Sequence, residues 1–393
     1  MIDYDILFSN SFRSLKGNII RELYKWTNQP GFISFAGGNP DPSTFPNEAL
    51  AELTRKNLLE KGTQCLQYGV SNGVVPLREY VAEMLTSEGV PTKVENVVIT
   101  TGSQQTMDLL AKAVINPGDI VLVESPTYVA ALKIFSIYGA NIIPVDADDD
   151  GMLPESLEEK LSAGPVKLIY MIPNFQNPTG ITLPYERRRK IMEIVRRHNV
   201  LVIEDDPYGK LRFVGETVPH MKSMDSEDQV VYLGSFSKIF MPGLRLGWTI
   251  ANPEIIDKFV KFKQAVDLGT STFGQRQAAY YCQMFDMDAH IKEINALYAK
   301  RRDLMCESMK KYFPEECKFT YPQGGLFTWV TLPEGMDAKE LMPKCLAKDV
   351  AYVPGGIFYP NGGNGNHFRL NYSNMPEDRI VEGIKRLGEV LKE

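Results

Sequence analysis

The sequence predicts an α/β chain: a large, mainly parallel sheet flanked by helices, followed by a smaller α+β unit. Three observations carry this expectation. From about residue 95 to 250, short β-branched runs alternate with helix-like segments, the pattern of strands joined by crossover helices. After residue 285 the texture changes to one long helix-like stretch, three short apolar runs and a closing helix. The 393 residues are also too many for one simple core, so two domains are the prior.

Taken in order, residues 1–45 form an N-terminal arm that belongs with the smaller unit. Residues 46–284 are the large domain, and 285–393 complete the small one. Val97–Ile99, Ile120–Val123, Lys167–Ile172, Val200–Ile203 and Val230–Leu233 read as buried strands, with Leu246–Ala251 as a further one. Amphipathic segments such as "TMDLLAKAVI" and "PYERRRKIMEIVRRH" supply the helices between them. Beyond residue 285, "HIKEINALYAKRRDLMCESMKKYF" reads as a helix. "GGLFTWVTL", "VAYVPG" and "HFRLNYS" read as short strands, and "EDRIVEGIKRLGEVLK" as the last helix. There is no internal repeat.

Composition narrows the function classes. A net charge of −6 argues against a partner that is nucleic acid or an anionic membrane. Cys65, Cys282, Cys306, Cys317 and Cys345 are scattered and odd in number, which suits free thiols in a reducing compartment. The histidines at 198, 220, 290 and 367 lack metal-ligand spacing. The start, "MIDYDILFSN", has no basic n-region, and no apolar run approaches a bilayer span. The expectation is a cytoplasmic protein acting on small molecules, with no metal.

Ligands in such sheets bind beyond the carboxyl ends of the strands. Five polar segments follow five successive strands: "TGSQQ", "ESPTY", "NFQNPTG", "EDDPYG" and "GSFSK". They carry Ser, Asn, Asp, Tyr and Lys to one edge, where one such loop alone would be an ordinary connection.

Lys238 stands out. Ser235, Ser237 and Arg245 around it offer hydroxyls and a fixed cationic fork, suited to a phosphate monoester. Gly102, Ser103 and Gln104 begin a helix whose free N–H groups favour an anion. A lysine amine beside a phosphate cradle suits a Schiff base to an aldehyde cofactor. A pyridine ring in that cofactor needs a carboxylate beside its nitrogen, for which Asp205 is the candidate and Asp206 the neighbour turned away. Tyr208 and Asn177 are placed to donate to the ring's phenolic oxygen, and Tyr128 to stack on its face.

"NPTG" at 177–180, "DDPYG" at 205–209, "SFSKIFMPGLRLGW" at 235–248 and "FRLNYS" at 368–373 resemble the class I/II aminotransferases of fold-type I. "IREL…ISFAGGNPDPSTFP" and "TTGSQQ" resemble the subgroup of 2-aminoadipate, kynurenine and aromatic aminotransferases. The match runs from about Ile20 to Ser373 with its motifs in the family's order.

The resemblance implies pyridoxal 5′-phosphate as cofactor, with Lys238 binding it and later moving the proton between Cα and C4′. Asp205 would pair with the ring nitrogen, Asn177 and Tyr208 would bind O3′, and Tyr128 would stack. Ser103, Gln104, Ser235, Ser237 and Arg245 would hold the phosphate. Tyr68, in "QYGVSNG", matches a tyrosine that reaches the partner's phosphate in a homodimer. Arg369 would clamp the substrate α-carboxylate with help from the Gly38 backbone and Asn177. Arg21 matches an arginine that meets a side-chain carboxylate in relatives, with a helix-surface charge as its other reading. Asn39 departs from the apolar residue common at its position, beside the substrate side chain. The expected reaction is ping-pong transfer between an L-amino acid, aromatic or 2-aminoadipate-like, and a 2-oxo acid such as 2-oxoglutarate.

Other patterns carry less. Ser235 to Lys238 also satisfies S-x-x-K, but no K-T-G follows. "DADDDG" at 146–151 starts like a calcium loop, yet Leu157 stands where the bidentate Glu belongs. "RRRK" at 187–190 reads as a solvated helix face. The rival functions keep the cofactor: a lyase on the same fold, or a non-enzymatic sensor of the kind fused to a winged helix. Against the sensor, the aminotransferase-like motifs begin within about twenty residues of Met1.

Overall fold

Six of the seven strands of the main sheet point the same way, because the connections between them cross back over the sheet. The computed structural model describes residues 2–13 and 29–393. In chain order the strands are β1 (Val97–Thr100), β2 (Ile120–Val123), β3 (Asn141–Pro144), β4 (Val166–Met171), β5 (Leu201–Asp205), β6 (Val230–Ser235) and β7 (Gly247–Ile250). Their order across the sheet is β1-β7-β6-β5-β4-β2-β3. Only β7 is antiparallel, pairing β6 on one side and β1 on the other.

Both faces of the sheet are buried, as its near-continuous apolar strands require. In β4, Leu168 and Tyr170 enter the larger core while Ile169 and Met171 enter a second core on the opposite face, the period-2 alternation of a strand. Helices Ser103–Val114, Val129–Ile137, Pro154–Ser162 and Tyr185–Val195 make the crossovers. The sequence reading did not include β3, a half-exposed edge strand reading NIIP.

A second sheet of four strands contains Lys318–Phe319, Phe327–Thr331, His367–Asn371 and Val353–Pro354, in that spatial order. Ile33–Ser34 pairs in parallel with Val350–Ala351, and Asn371 N donates to Phe35 O at 2.9 Å. The arm is thereby tied to the C-terminal part of the chain. Helix Met287–Tyr312 packs against Glu377–Leu391. The "DADDDG" segment forms a small hairpin, Ala147–Asp148 against Gly151–Met152. Among the described residues, no helix is long and apolar enough to cross a membrane.

The solvated reading of "RRRK" needs correction. Arg188 is fully buried. Its guanidinium donates to the carbonyls of Leu183 (2.9 Å), Pro173 (2.9 Å) and Pro219 (3.0 Å), and to Asn174 Oδ1 (2.6 Å). The helix turns this one basic residue towards two loops that end in carbonyls, a contact invisible to helix periodicity. Arg188→Met strands those acceptors, each costing about 1–3 kcal/mol when buried and unpaired. It is expected to lower the urea unfolding midpoint clearly, whereas the exposed Lys190→Met leaves it unchanged.

Candidate active site

The C-terminal ends of the parallel strands, with the start of β7, open onto a cavity of about 650 Å³. Lys238, three residues past β6, lies in it. Its Nζ donates to Gly38 O at 2.7 Å. Burial, and then the guanidinium charges of Arg245 and Arg369, lower its ammonium to about 8.

Asp205 ends β5 and is 2% exposed. Tyr170 OH donates to its Oδ2 at 2.7 Å, while Oδ1 is buried with no hydrogen-bond partner among the described residues. Burial raises this carboxyl to about 7; the Tyr170 bond opposes that rise, and the Asp206 charge adds to it. Tyr208, two residues into the turn, is buried, with its ring edge-on to Phe327 at 5.9 Å. Burial pushes its phenol well up, as it also does for Tyr128, so both are hydroxyl donors at neutral pH. Tyr128 caps the helix Val129–Ile137 at the cavity wall.

Across the cavity, Arg369 lies on the strand His367–Asn371. It donates to Asn177 Oδ1 and Ala36 O, each at 2.7 Å. Its guanidinium lies 4.1 Å from the Phe327 ring centroid and 5.2 Å from that of Phe358, which fixes its plane. Asn177 Nδ2 points to Tyr208 OH at 3.5 Å. Gly38 and Asn39 complete the wall from the arm, and Asn39 O accepts from Ser373 Oγ at 2.8 Å.

The anion cradle is built from close backbone approach. Gly102, at φ +73°, caps the helix Ser103–Val114, and a Cβ there would meet Arg245 Nη2 at 2.6 Å. A Cβ on Gly247 would meet Ser103 N at 2.5 Å. Only glycines let β7, the helix start and the Arg245 guanidinium converge. Ser237 N donates to Ser235 Oγ (3.1 Å), and Arg245 Nη1 reaches Ser237 Oγ (3.4 Å). Ser103 and Gln104 line the same recess, where free helix N–H groups favour a dianion.

Two predicted residues are not in this gathering. Tyr68 is 87% exposed and lies outside the cavity. Arg21 falls outside the described residues. Asp206, the first residue after the strand, does not line this cavity and is likewise buried. Tyr170, Phe327 and Glu124 were not singled out from the sequence. Glu124, buried at the end of β2, accepts from Ile172 N at 2.9 Å and Gln176 Nε2 at 3.3 Å. Burial raises it to about 8. Its position before "SPTY" was the one available signal. A larger crevice of about 940 Å³ opens beside the 147–152 hairpin, but Lys238, Asp205 and Arg369 do not line it.

Comparison with known proteins agrees with this geometry. The sequence profile described as aminotransferase class I and II matches residues 30–387. Aromatic-amino-acid aminotransferase 1 of Thermococcus litoralis is 44% identical over 398 aligned positions, covering 100% of this chain and 95% of that protein. The 2-aminoadipate transaminase of Thermus thermophilus is 38% identical, covering 98% and 96%. The crystal structure of Pyrococcus horikoshii kynurenine aminotransferase, in complex with PMP, superposes with a TM-score of 0.95 at 42% identity, covering 99% of this chain and 98% of that one. With a matching profile over most of its length and a part-buried lysine, a buried carboxylate and a buried arginine around one cavity, the chain belongs to the class I and II aminotransferases, which transfer amino groups with pyridoxal 5′-phosphate.

Proposed function

We propose that this enzyme passes the amino group of aromatic amino acids or 2-aminoadipate to a 2-oxo acid such as 2-oxoglutarate, at the cavity around Lys238. The observation that carries this is the meeting of Lys238, the unpartnered Asp205 Oδ1 and Arg369 at one sheet edge. The names of the two relatives support the donor class. So does the wall of Val129, Ile134, Ile137, Ile357 and Phe327, which suits an apolar or long side chain.

The residues present fit the cofactor: a buried acceptor oxygen for a protonated ring nitrogen, and a glycine-lined cradle for a phosphate. When bound, pyridoxal 5′-phosphate supplies the aldehyde that captures the amino group and the ring that takes up electrons released at Cα. Ser103, Gln104, Ser235, Ser237 and Arg245 hold the phosphate. Asp205, oriented by Tyr170, keeps the ring nitrogen protonated. Tyr208 and Asn177 donate towards the phenolic oxygen, and Tyr128 covers the ring face. Arg369, flat on Phe327, takes the substrate α-carboxylate in a bidentate grip, and Asn39 lies beside the side chain. Lys238 is the group that accepts and returns the Cα proton.

Because the neutral amine is the nucleophile and its fraction grows as pH rises through the pKa, cofactor capture by the stripped protein is expected to accelerate with a midpoint near 8. A stopped-flow pH profile with its midpoint near the ordinary lysine value of 10.5 would contradict this.

A homodimer is part of the reading. Leu66, Tyr68, Val70, Val266 and Leu268 are exposed, and a second copy is the partner that suits such a surface, with Tyr68 reaching that copy's phosphate. The test of the whole reading is the visible spectrum with single amino acids. A yellow band that bleaches with phenylalanine or 2-aminoadipate and returns with 2-oxoglutarate is expected. Ammonia released without an oxo acid would instead make the chain a lyase.

A further inference from the structure

Behind the turn that carries Tyr208 lies a buried ionic cluster that none of the roles above uses. Asp206 is its centre. Gly209 N (2.9 Å) and Asn174 Nδ2 (3.1 Å) donate to Oδ1, and Tyr232 OH (3.2 Å) donates to Oδ2. His220 Nδ1 stands 3.6 Å from Oδ2, and its Nε2–H donates to Glu88 Oε2 at 3.1 Å. Glu88 is itself paired with Lys210. Glu204 accepts from Met221 N (2.9 Å) and Lys222 N (2.8 Å), which pins the backbone after His220, and its Oε1 lies 3.8 Å from His220 Nδ1. Arg188 and Arg212 are the remaining cations that feel Asp206. Asp206, His220 and Glu204 are all more than nine-tenths buried.

The arrangement has a direction. Asp206 follows Asp205 in the chain, and its Oδ1 closes back onto Gly209 N, an Asx-type turn with Pro207 and Tyr208 at its centre. A small cavity of about 180 Å³ on this side shares Pro207 and Ser235 with the cavity around Lys238. The cluster therefore lies one layer behind the site. Burial raises the Asp206 carboxyl above the ordinary carboxylate range, and His220 is the strongest influence opposing that rise. Burial works against the His220 charge, but Glu204, Glu88 and Asp206 together hold its pKa at about 10.

We propose that Asp206 is a positioning residue for transamination: bonded to Gly209 N and braced by Asn174, Tyr232 and His220, it closes the turn that aims Tyr208 at the cofactor. This rests on the role given above to Tyr208.

The test uses the cofactor-loaded enzyme and the pH titration of its visible absorbance, a readout of the donors around the cofactor that needs no turnover. Tyr208→Phe is the reference. Asp206→Ala is expected to move the titration midpoint in the same direction as Tyr208→Phe by about one pH unit, the size of one hydrogen bond to a charged group. It should also lower kcat roughly tenfold, with KM for the amino donor little changed, because a misaimed donor weakens the transition state more than binding. The Asp206→Ala/Tyr208→Phe pair should shift the midpoint no further than Tyr208→Phe alone. His220→Gln, which removes the cation and keeps a polar side chain, should act in the same sense and stands in if Asp206→Ala does not fold. A midpoint that moves in Tyr208→Phe but stays at the wild-type value in Asp206→Ala and His220→Gln, even with reduced melting temperatures, overturns the positioning role. A midpoint that does not move in Tyr208→Phe overturns the reading of Tyr208, and this inference with it.

Discussion

Lys238→Ala is expected to lower kcat by about 10⁴-fold or more while the protein still retains some cofactor. The side chain is asked for two things at once, a recessed amine that is about half neutral near pH 8 and a base within reach of the reacting carbon. Its neighbours cannot substitute. Arg245 and Arg369 are permanently charged, and Tyr128 and Tyr208 are held as phenols by burial. The cradle of Ser103, Ser235, Ser237 and Arg245 is untouched by the substitution, so phosphate affinity persists. Absorbance of the purified variant and steady-state transamination decide the matter, and turnover within tenfold of wild type would sink the role given to Lys238.

Asp205→Asn is expected to cost about 10²–10³-fold in kcat, the range for removing one preorganised electrostatic contact. Asparagine has the same shape, so Tyr170 can still donate at this position, but the charge facing the ring nitrogen is gone. Nothing nearby replaces it: Asp206 does not line the cavity, and Glu124 is held by Ile172 N and Gln176. Cofactor affinity should fall much less than kcat, since the phosphate contacts lie elsewhere. Replacing the Cα proton of the donor with deuterium separates this from a folding defect. A kinetic isotope effect that grows in the variant marks slowed proton removal, and turnover close to wild type would contradict the assignment.

Much of this architecture was legible because strand and loop chemistry coincide. β-branched runs mark β1, β2, β4, β5 and β6, and each is followed by a polar segment punctuated by glycine or proline. In a parallel sheet those segments meet by topology alone, so the cavity that gathers them needed no knowledge of distances. What escaped the sequence shares a different cause. β3 is a short edge strand whose exposure dilutes its apolar signal. Arg188 belongs to a basic run, and only the tertiary placement of the 173–174 and 218–219 loops makes it a buried anchor. Tyr170 lies mid-strand among apolar residues, with nothing local to mark the hydroxyl that meets Asp205. His220, Glu88 and Glu204 come from three separate elements and form a cluster only once the chain is folded.

The reversed strand β7 has a consequence for assembly of the protein. β1 sits at the sheet edge and touches the rest of the sheet through β7 alone. The helix start at Ser103 is therefore joined to Ser235 and Lys238 only when Gly247 pairs with Thr100 on one side and Ser235 on the other. The pairing with Ser235 is nearly local, but Thr100 lies far back in the chain, and a non-local pairing of that kind bears the larger loop-closure cost. A polypeptide emerging from the ribosome carries the lysine before it carries the strand that completes the phosphate cradle. Until residue 250 has been added, the growing chain holds Lys238 without the strand that joins the Ser103 helix start to it.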